Sequence, residues 1–308
     1  MSKAVLYQKI FGVEFKNPVL AASGTFGFGE EYKDFYDVSR LGGFVTKSVT
    51  PEPRRGNDPP RIIETPSGML NAIGLQNNGL DYFVESILPK YDTLDTSVIV
   101  NVAGRTIEDY EKVCVELDKH KSIKALEINI SCPNVKEGGM AFGSSAESAA
   151  EITKEMRAIT SKPLILKLSP NVTDIVEIAC AVEESGADAV SLINTLTGMV
   201  IDVDKRIPML ANVTGGLSGP AVRPVAVRMV YQVAGAVSIP VIGLGGIFCA
   251  RDALEFIIAG ASLVQIGCGM FVKPSLPLDV IKGIGEYLEL HNFSSVSELV
   301  GSIKTREE

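Results

Sequence analysis

From residue 129 to residue 134 the chain reads Asn-Ile-Ser-Cys-Pro-Asn, and a glycine-rich stretch, residues 135–143, follows. A lone cysteine is commonly a small buried hydrophobe. Cys114 and Cys180, inside helical patterns with apolar neighbours, fit that reading. Cys132 does not, because Ser131, Pro133 and Asn134 surround it at the end of an apolar run. Its setting is that of a base or nucleophile. If residues 125–130 form a strand, side chains alternate across it. Leu126, Ile128 and Ile130 then share one face, and Ala125, Glu127 and Asn129 the other. The second face suits a polar environment that is not solvent, as at the mouth of a barrel.

Other apolar runs end in the same way. Lys47, Asn101, Asn129, Lys167 and Asn194 each close or follow one. A single terminal Lys or Asn is ordinary turn chemistry, but the series points to one shared polar site. Lysines and amides together suit an anionic ligand with planar amide or imide edges. Paired acids for glycoside hydrolysis are missing, as is an acidic or His cluster for a metal. The two histidines, His120 and His291, lie at polar helix ends. Near the C-terminus, Gly243-Leu244-Gly245-Gly246-Ile247 and Gly267-Cys268-Gly269 follow apolar runs. Glycine lets backbone N–H groups approach a phosphate, and loops after the last two strands of a barrel often bind one.

The elements that must position these residues are short apolar strands alternating with amphipathic helices. Strands are expected at 18–24, 43–49, 98–101, 125–130, 164–167, 189–194, 241–243 and 263–266. Helical spacing marks 80–88, 107–117, 147–159, 175–184, 222–234 and 253–259. Such alternation indicates parallel βαβ units. It fits an α/β fold of the (β/α)8 TIM-barrel type, with an open doubly wound sheet as the alternative on pattern alone. A hairpin over 9–16, turning at Gly12, precedes the barrel. Long connections follow the second, fourth and sixth strands. The stretches 50–79 and 196–218 are long enough to be functional. No repeat or linker divides the chain, so residues 1–308 are expected to form one domain.

A hydrophobic fraction of 46% suits a large core, and the net charge of −8 argues against nucleic acid. No apolar run approaches the roughly 18 residues of a membrane span. The N-terminal residues lack the apolar core of a signal peptide. Five scattered cysteines without Cys-x-x-Cys suggest a reducing compartment, the cytoplasm, and no metal or iron–sulfur site in this chain.

With these residues assembled, the sequence resembles the dihydroorotate dehydrogenases, flavin enzymes of pyrimidine synthesis, over about residues 11–282. The motifs are Pro-Ser-Gly-Met-Leu-Asn-Ala-Ile-Gly-Leu-Gln-Asn (66–77), Asn-Ile-Ser-Cys-Pro-Asn (129–134), Asn-Thr-Leu-Thr-Gly-Met (194–199), Gly-Gly-Leu-Ser-Gly-Pro-Ala (215–221) and Gly-Leu-Gly-Gly-Ile (243–247). The stretch 135–143 is similar to the NAD-linked subgroup rather than the fumarate-using one. The resemblance implies that Ser23, Lys47, Ser48, Asn101, Asn129, Lys167, Ile193, Gly219, Gly245, Gly246, Gly267 and Cys268 bind FMN. Lys167 would lie by the flavin N1–O2 edge. Substrate would be held by Lys47, Asn71, Ala72, Ile73, Gly74, Leu75, Asn129, Asn194 and Thr195, with Lys47 on its carboxylate. At Cys268 the family commonly has a hydroxyl residue.

The same resemblance makes Cys132 the base that takes the C5 proton of dihydroorotate while a hydride passes from C6 to flavin N5. An unperturbed thiol has a pKa near ~8.5, so activity is expected to rise with pH through the thiol titration. Residues 133–143 would act as a lid against water. The chain offers no dinucleotide fingerprint, since 243–246 breaks the required spacing. Electrons bound for NAD would therefore need a partner carrying FAD and a 2Fe–2S cluster, in a complex of two catalytic and two electron-transfer chains. The competing readings are a dihydropyrimidine dehydrogenase module, a fumarate-linked dihydroorotate dehydrogenase, and a flavin-binding sensor or redox-free barrel lyase.

Overall fold

A computed structural model of the protein describes residues 4–131 and 142–304. In chain order, β1 (Gln8–Ile10) and β2 (Val13–Phe15) form an antiparallel hairpin turning at Phe11 and Gly12. β3 (Val19–Ala21) and β4 (Gly43–Val45) follow, then β5 (Ile62–Thr65) and β6 (Gly68–Asn71). A helical turn, α1 (Gly79–Tyr82), leads to β7 (Ser97–Val102), α2 (Ile107–Asp118) and β8 (Ile123–Asn129). Next come α3 (Ala146–Ile159), β9 (Leu164–Lys167), α4 (Ile175–Glu184) and β10 (Ala189–Leu192). The second excursion holds β11 (Leu196–Gly198), β12 (Ile201–Asp202), β13 (Ile207–Pro208) and β14 (Gly215–Ser218). α5 (Arg223–Ala234), β15 (Val241–Leu244), α6 (Ala250–Ala259), β16 (Ala261–Ile266), the short α7 (Gly269–Val272) and α8 (Leu276–Leu290) complete the chain.

Eight parallel strands close a barrel in the order β10-β15-β16-β3-β4-β7-β8-β9. This is the (β/α)8 architecture that the strand–helix alternation predicts. Three of the helices, α2, α3 and α4, start at a side-chain cap: Thr106 accepts from the Asp109 amide, Ser145 from Ser148, and Asp174 from Val176 and Glu177. Their apolar stripes pack on the outward faces of the strands, including Leu126, Ile128 and Ile130 of the β8 segment.

The inside of the barrel is built in layers. Leu20, Val45, Ile99, Ala125, Ile165, Ala189, Ile242 and Leu263, one from each barrel strand, form an apolar plug with Val13 and Phe15 of the hairpin. Full burial of such side chains contributes roughly 1.5–3 kcal/mol each, which seats the hairpin across the N-terminal end. Ser97 Oγ donates to the Glu14 carbonyl at 2.8 Å there. Side chains on one strand face recur every two residues, so the next inward layer is Ala22, Lys47, Asn101, Glu127, Lys167, Ser191, Leu244 and Gln265. Apart from Ala22 and Leu244 it is polar, and it lies on the C-terminal side.

The two excursions pair with each other. β5, β6, β14 and β11 form one antiparallel sheet in the order β11-β14-β6-β5, with Leu217 opposite Leu70. Leu70, Ala72 and Leu210 give it a small core of its own. The helix expected over 80–88 is α-helical only through Tyr82; Phe83–Ile87 winds as a π-helix and Leu88–Tyr91 as a 3-10 turn. The second barrel strand ends at Val45, short of the expected 49, because the Lys47 amide turns away to the Gly27 carbonyl.

Candidate active site

The C-terminal strand ends and the sheet of the two excursions enclose a cavity of about 650 Å3. That is within the roughly 300–1,000 Å3 of small-molecule sites. Ser23, Lys47, Ser48, Asn129, Lys167, Ile193, Asn194, Thr195, Gly245, Gly246, Gly267 and Cys268 line it from the barrel side. Asn71, Ala72, Ile73, Gly74 and Leu75 face them from the excursion sheet and the loop after it. Residues more than 200 positions apart in sequence thus meet in one space. Cys132 lies outside the described residues, as does most of the expected lid; Phe142 and Gly143 begin the next described segment.

Just beneath the floor is Glu127, fully buried. Its Oε1 accepts from Asn101 Nδ2 at 2.7 Å and lies 3.4 Å from Lys167 Nζ. Its Oε2 accepts from Ser191 Oγ and Gln265 Nε2, both at 2.9 Å. Burial by itself would raise the carboxyl pKa, but the Lys167 ammonium and the hydrogen bonds from Gln265, Asn101 and Ser191 outweigh it. The carboxyl is held below its ordinary range. A carboxyl lowered on folding stabilises the fold above its unfolded pKa, near ~4.3, and this contribution is lost as pH falls through the folded value. Urea unfolding of flavin-free protein should therefore show stability dropping below about pH 4.3, and Glu127→Gln dropping less steeply. Equal slopes would remove Glu127 from the acid response.

Asn101 is also fully buried and does not reach the cavity surface. Besides Glu127 it bonds Ser48, whose Oγ donates to Asn101 Oδ1. It thus stands behind the wall it was expected to form, bonded to Ser48, which lines the cavity, and to Glu127, which does not. Asn129 is held through its carbonyl by the Tyr110 hydroxyl at 2.7 Å. Its Oδ1 accepts from the Ser131 amide at 3.3 Å and faces Asn194 Nδ2 at 3.5 Å. The Leu192–Ile193 peptide just before Asn194 is cis. Lys47 is half-buried, and burial lowers its pKa, with Glu31 opposing and Arg61 adding to the effect. An anionic ligand group would favour its charged form.

In the glycine loops, Gly245, Gly246 and Gly219 leave no room for a side chain, whereas Gly267 does. A Cβ on Gly246 (φ +76°) would lie 2.7 Å from the Gly219 carbonyl oxygen. Gly219 (φ +113°) is pressed against the excursion sheet, where a Cβ would sit 2.4 Å from Gly68 Cα. Gly219 is buried and does not itself line the cavity. Gly219→Ala is expected to cost about 1–3 kcal/mol and to loosen cofactor retention, read as a lower Tm and lower flavin content after gel filtration. An unchanged Tm would mean that the close approach relaxes freely. Cys268 precedes α7, and burial pushes its thiol pKa up, although a hydrogen bond with Ser218 opposes the shift.

Several wall residues had no role from sequence. Gln265, and Ser191 buried behind the wall, sit inside apolar strands, and only the two-residue spacing from Leu263 and Ala189 signals that they face inward. Asn171 bridges two loops: its Nδ2 donates to the Thr195 carbonyl and its Oδ1 accepts from the Thr197 amide, both at 2.9 Å. Arg61 reaches the rim, where Nη2 donates to Gln76 Oε1 at 2.7 Å.

A barrel mouth that joins lysines, amides and a glycine cradle is common to many folds of this architecture, and comparison with known proteins narrows it. The profile of the dihydroorotate dehydrogenase family matches residues 5–288. The chain belongs to the dihydroorotate dehydrogenase family. Among curated relatives, it is 58% identical over 292 residues to a Bacteroides thetaiotaomicron protein named dihydroorotate dehydrogenase B (NAD(+)), catalytic subunit, covering 95% of this chain and 96% of that one. Proteins of the same name from Parabacteroides distasonis and Geotalea daltonii are 56% and 53% identical over 300 and 304 residues. These alignments span 97% and 99% of this chain, and 98% and 100% of the relatives.

Proposed function

We propose that the chain is the catalytic subunit of an NAD-linked dihydroorotate dehydrogenase. It oxidises (S)-dihydroorotate to orotate in pyrimidine (UMP) synthesis in the cytoplasm, using FMN bound at the barrel mouth. Electrons leave to a partner subunit carrying FAD and a 2Fe–2S cluster, which reduces NAD; two catalytic and two electron-transfer chains form the complex. The observation that carries this reading is the single cavity in which Lys47, Lys167, the amides and the glycine cradle converge, in a chain of this family.

The residues present fit FMN. Gly245, Gly246 and Gly267 offer backbone at the cavity wall, where a Cβ on Gly246 would collide with Gly219. Gln265 Oε1 is buried and without a hydrogen-bond partner among the described residues, an acceptor that a ligand N–H can satisfy. FMN supplies a hydride acceptor when bound. The chain's residues do the rest. Lys47 pairs with the substrate carboxylate, while Asn71, Asn129, Asn194 and Thr195 hold its amide edges. Ala72 to Leu75 lie along the ring. Cys132 removes the C5 proton. Lys167 opposes negative charge at the cofactor's pyrimidine edge, and Ser23, Ser48 and Ile193 complete that wall. The Cys268 backbone N–H joins the glycines at the phosphate.

Lys47 on the cavity wall favours dihydroorotate over dihydrouracil, which has no carboxylate for it to meet. The test is a steady-state assay of the purified yellow chain with dihydroorotate and an artificial dye as acceptor. Dye should be reduced, whereas fumarate or NAD alone should not be. Turnover with fumarate would place the chain in the other subgroup; turnover with NAD alone would dispense with the partner.

A further inference from the structure

The polar layer across the barrel raises a physical question that its fold does not answer. Directly beneath it, the same strands build a closed apolar plug, and a buried ion pair is generally no more stabilising than such packing. Yet Glu127 is fully buried, and donors from four different strands, Asn101 on β7, Lys167 on β9, Ser191 on β10 and Gln265 on β16, converge on its two oxygens. Glu127 does not itself line the cavity, whereas Lys167 and Gln265 do. Its carboxylate therefore meets a bound ligand through Lys167 and Gln265, of which Lys167 alone carries charge.

We propose that Glu127 is a positioning residue: it fixes the Lys167 ammonium at the cavity floor and sets the net charge that this floor presents to the cofactor. The proposal rests on the FMN reading of the cavity and deepens it. With both residues ionised the floor is neutral overall, a dipole with its positive end toward the cavity. Reduction adds negative charge to the flavin ring. The reduction potential should then follow the summed charge of the pair, not the lysine alone.

Glu127→Gln is accommodated by the surrounding groups. A glutamine oxygen can still accept from Asn101 and Lys167. Its NH2 can donate to the Ser191 hydroxyl; the bond from Gln265 Nε2 is given up, which leaves Gln265 Oε1 free for the ligand N–H as in wild type.

The experiment is a measurement of flavin midpoint potential, by dye equilibration of the flavin-loaded chain, in four proteins: wild type, Glu127→Gln, Lys167→Met and the double variant. Pair charges are 0, +1, −1 and 0 respectively. The expected order is Glu127→Gln highest, wild type and double variant together, and Lys167→Met lowest. Each step should change the reduced-to-oxidised ratio at least about tenfold, which is ~30 mV for a two-electron couple. Glu127→Gln equal to wild type, or the double variant equal to Lys167→Met, overturns the proposal, because the potential would then follow Lys167 alone. Either comparison decides the matter if one variant fails to fold. A wild-type chain that takes up no FMN would instead overturn the FMN reading.

Discussion

Replacing Cys132 by alanine is expected to lower kcat for dihydroorotate oxidation by roughly 10²–10⁴-fold, the usual worth of a positioned general base. Flavin content and the visible spectrum should be unchanged. The groups proposed to hold substrate, from Lys47 to Thr195, are unchanged in this variant, so substrate should still bind with a KM within a fewfold of wild type. Wild-type activity should rise with pH as the thiol ionises. In Cys132→Ser the rise should move to more alkaline pH, because a hydroxyl is a poorer acid than a thiol. Stopped-flow flavin reduction across pH reads all of these. An alanine variant that keeps most of its rate would place the base elsewhere in the mouth.

The second large effect concerns stability. Lys167→Met leaves Glu127 fully buried beside hydrogen bonds but without its counter-charge. Breaking a buried pair from one side costs about 3–5 kcal/mol. The double variant with Glu127→Gln should recover most of that, since the uncompensated charge goes with it. Urea unfolding of the flavin-free forms checks this, so that lost cofactor binding is not counted as lost stability. A Lys167→Met protein as stable as wild type would mean that Asn101, Ser191 and Gln265 alone suffice to hold the carboxylate.

Much of this site is written locally in the chain. The β8 segment alternates so strictly that Leu126, Ile128 and Ile130 could be assigned outward and Ala125, Glu127 and Asn129 inward, as they are found. The terminal lysines and amides of successive strands are legible for the same reason: parallel strands in a barrel deliver their ends to one face. What local pattern does not carry is pairing at a distance. β14 is Gly215-Gly216-Leu217-Ser218, too rich in glycine to show alternation, and its partner β6 lies some 145 residues earlier. The four donors to Glu127 come from 26, 40, 64 and 138 residues away, Gln265 being the most remote. α8 escaped because Gly283 and Gly285 interrupt its pattern. Gly283 is there for close packing, since a Cβ would sit 2.4 Å from Ala250 Cβ on α6. Cys132 stands out in sequence more sharply than any other residue, and its structural setting lies outside the described residues.

The most direct test of the account is anaerobic mixing of the purified chain with dihydroorotate while the visible flavin absorbance is followed, then addition of NAD. The account predicts bleaching that NAD alone does not reverse and that returns when the electron-transfer subunit is added. A flavin that stays oxidised with dihydroorotate but bleaches with dihydrouracil would contradict it.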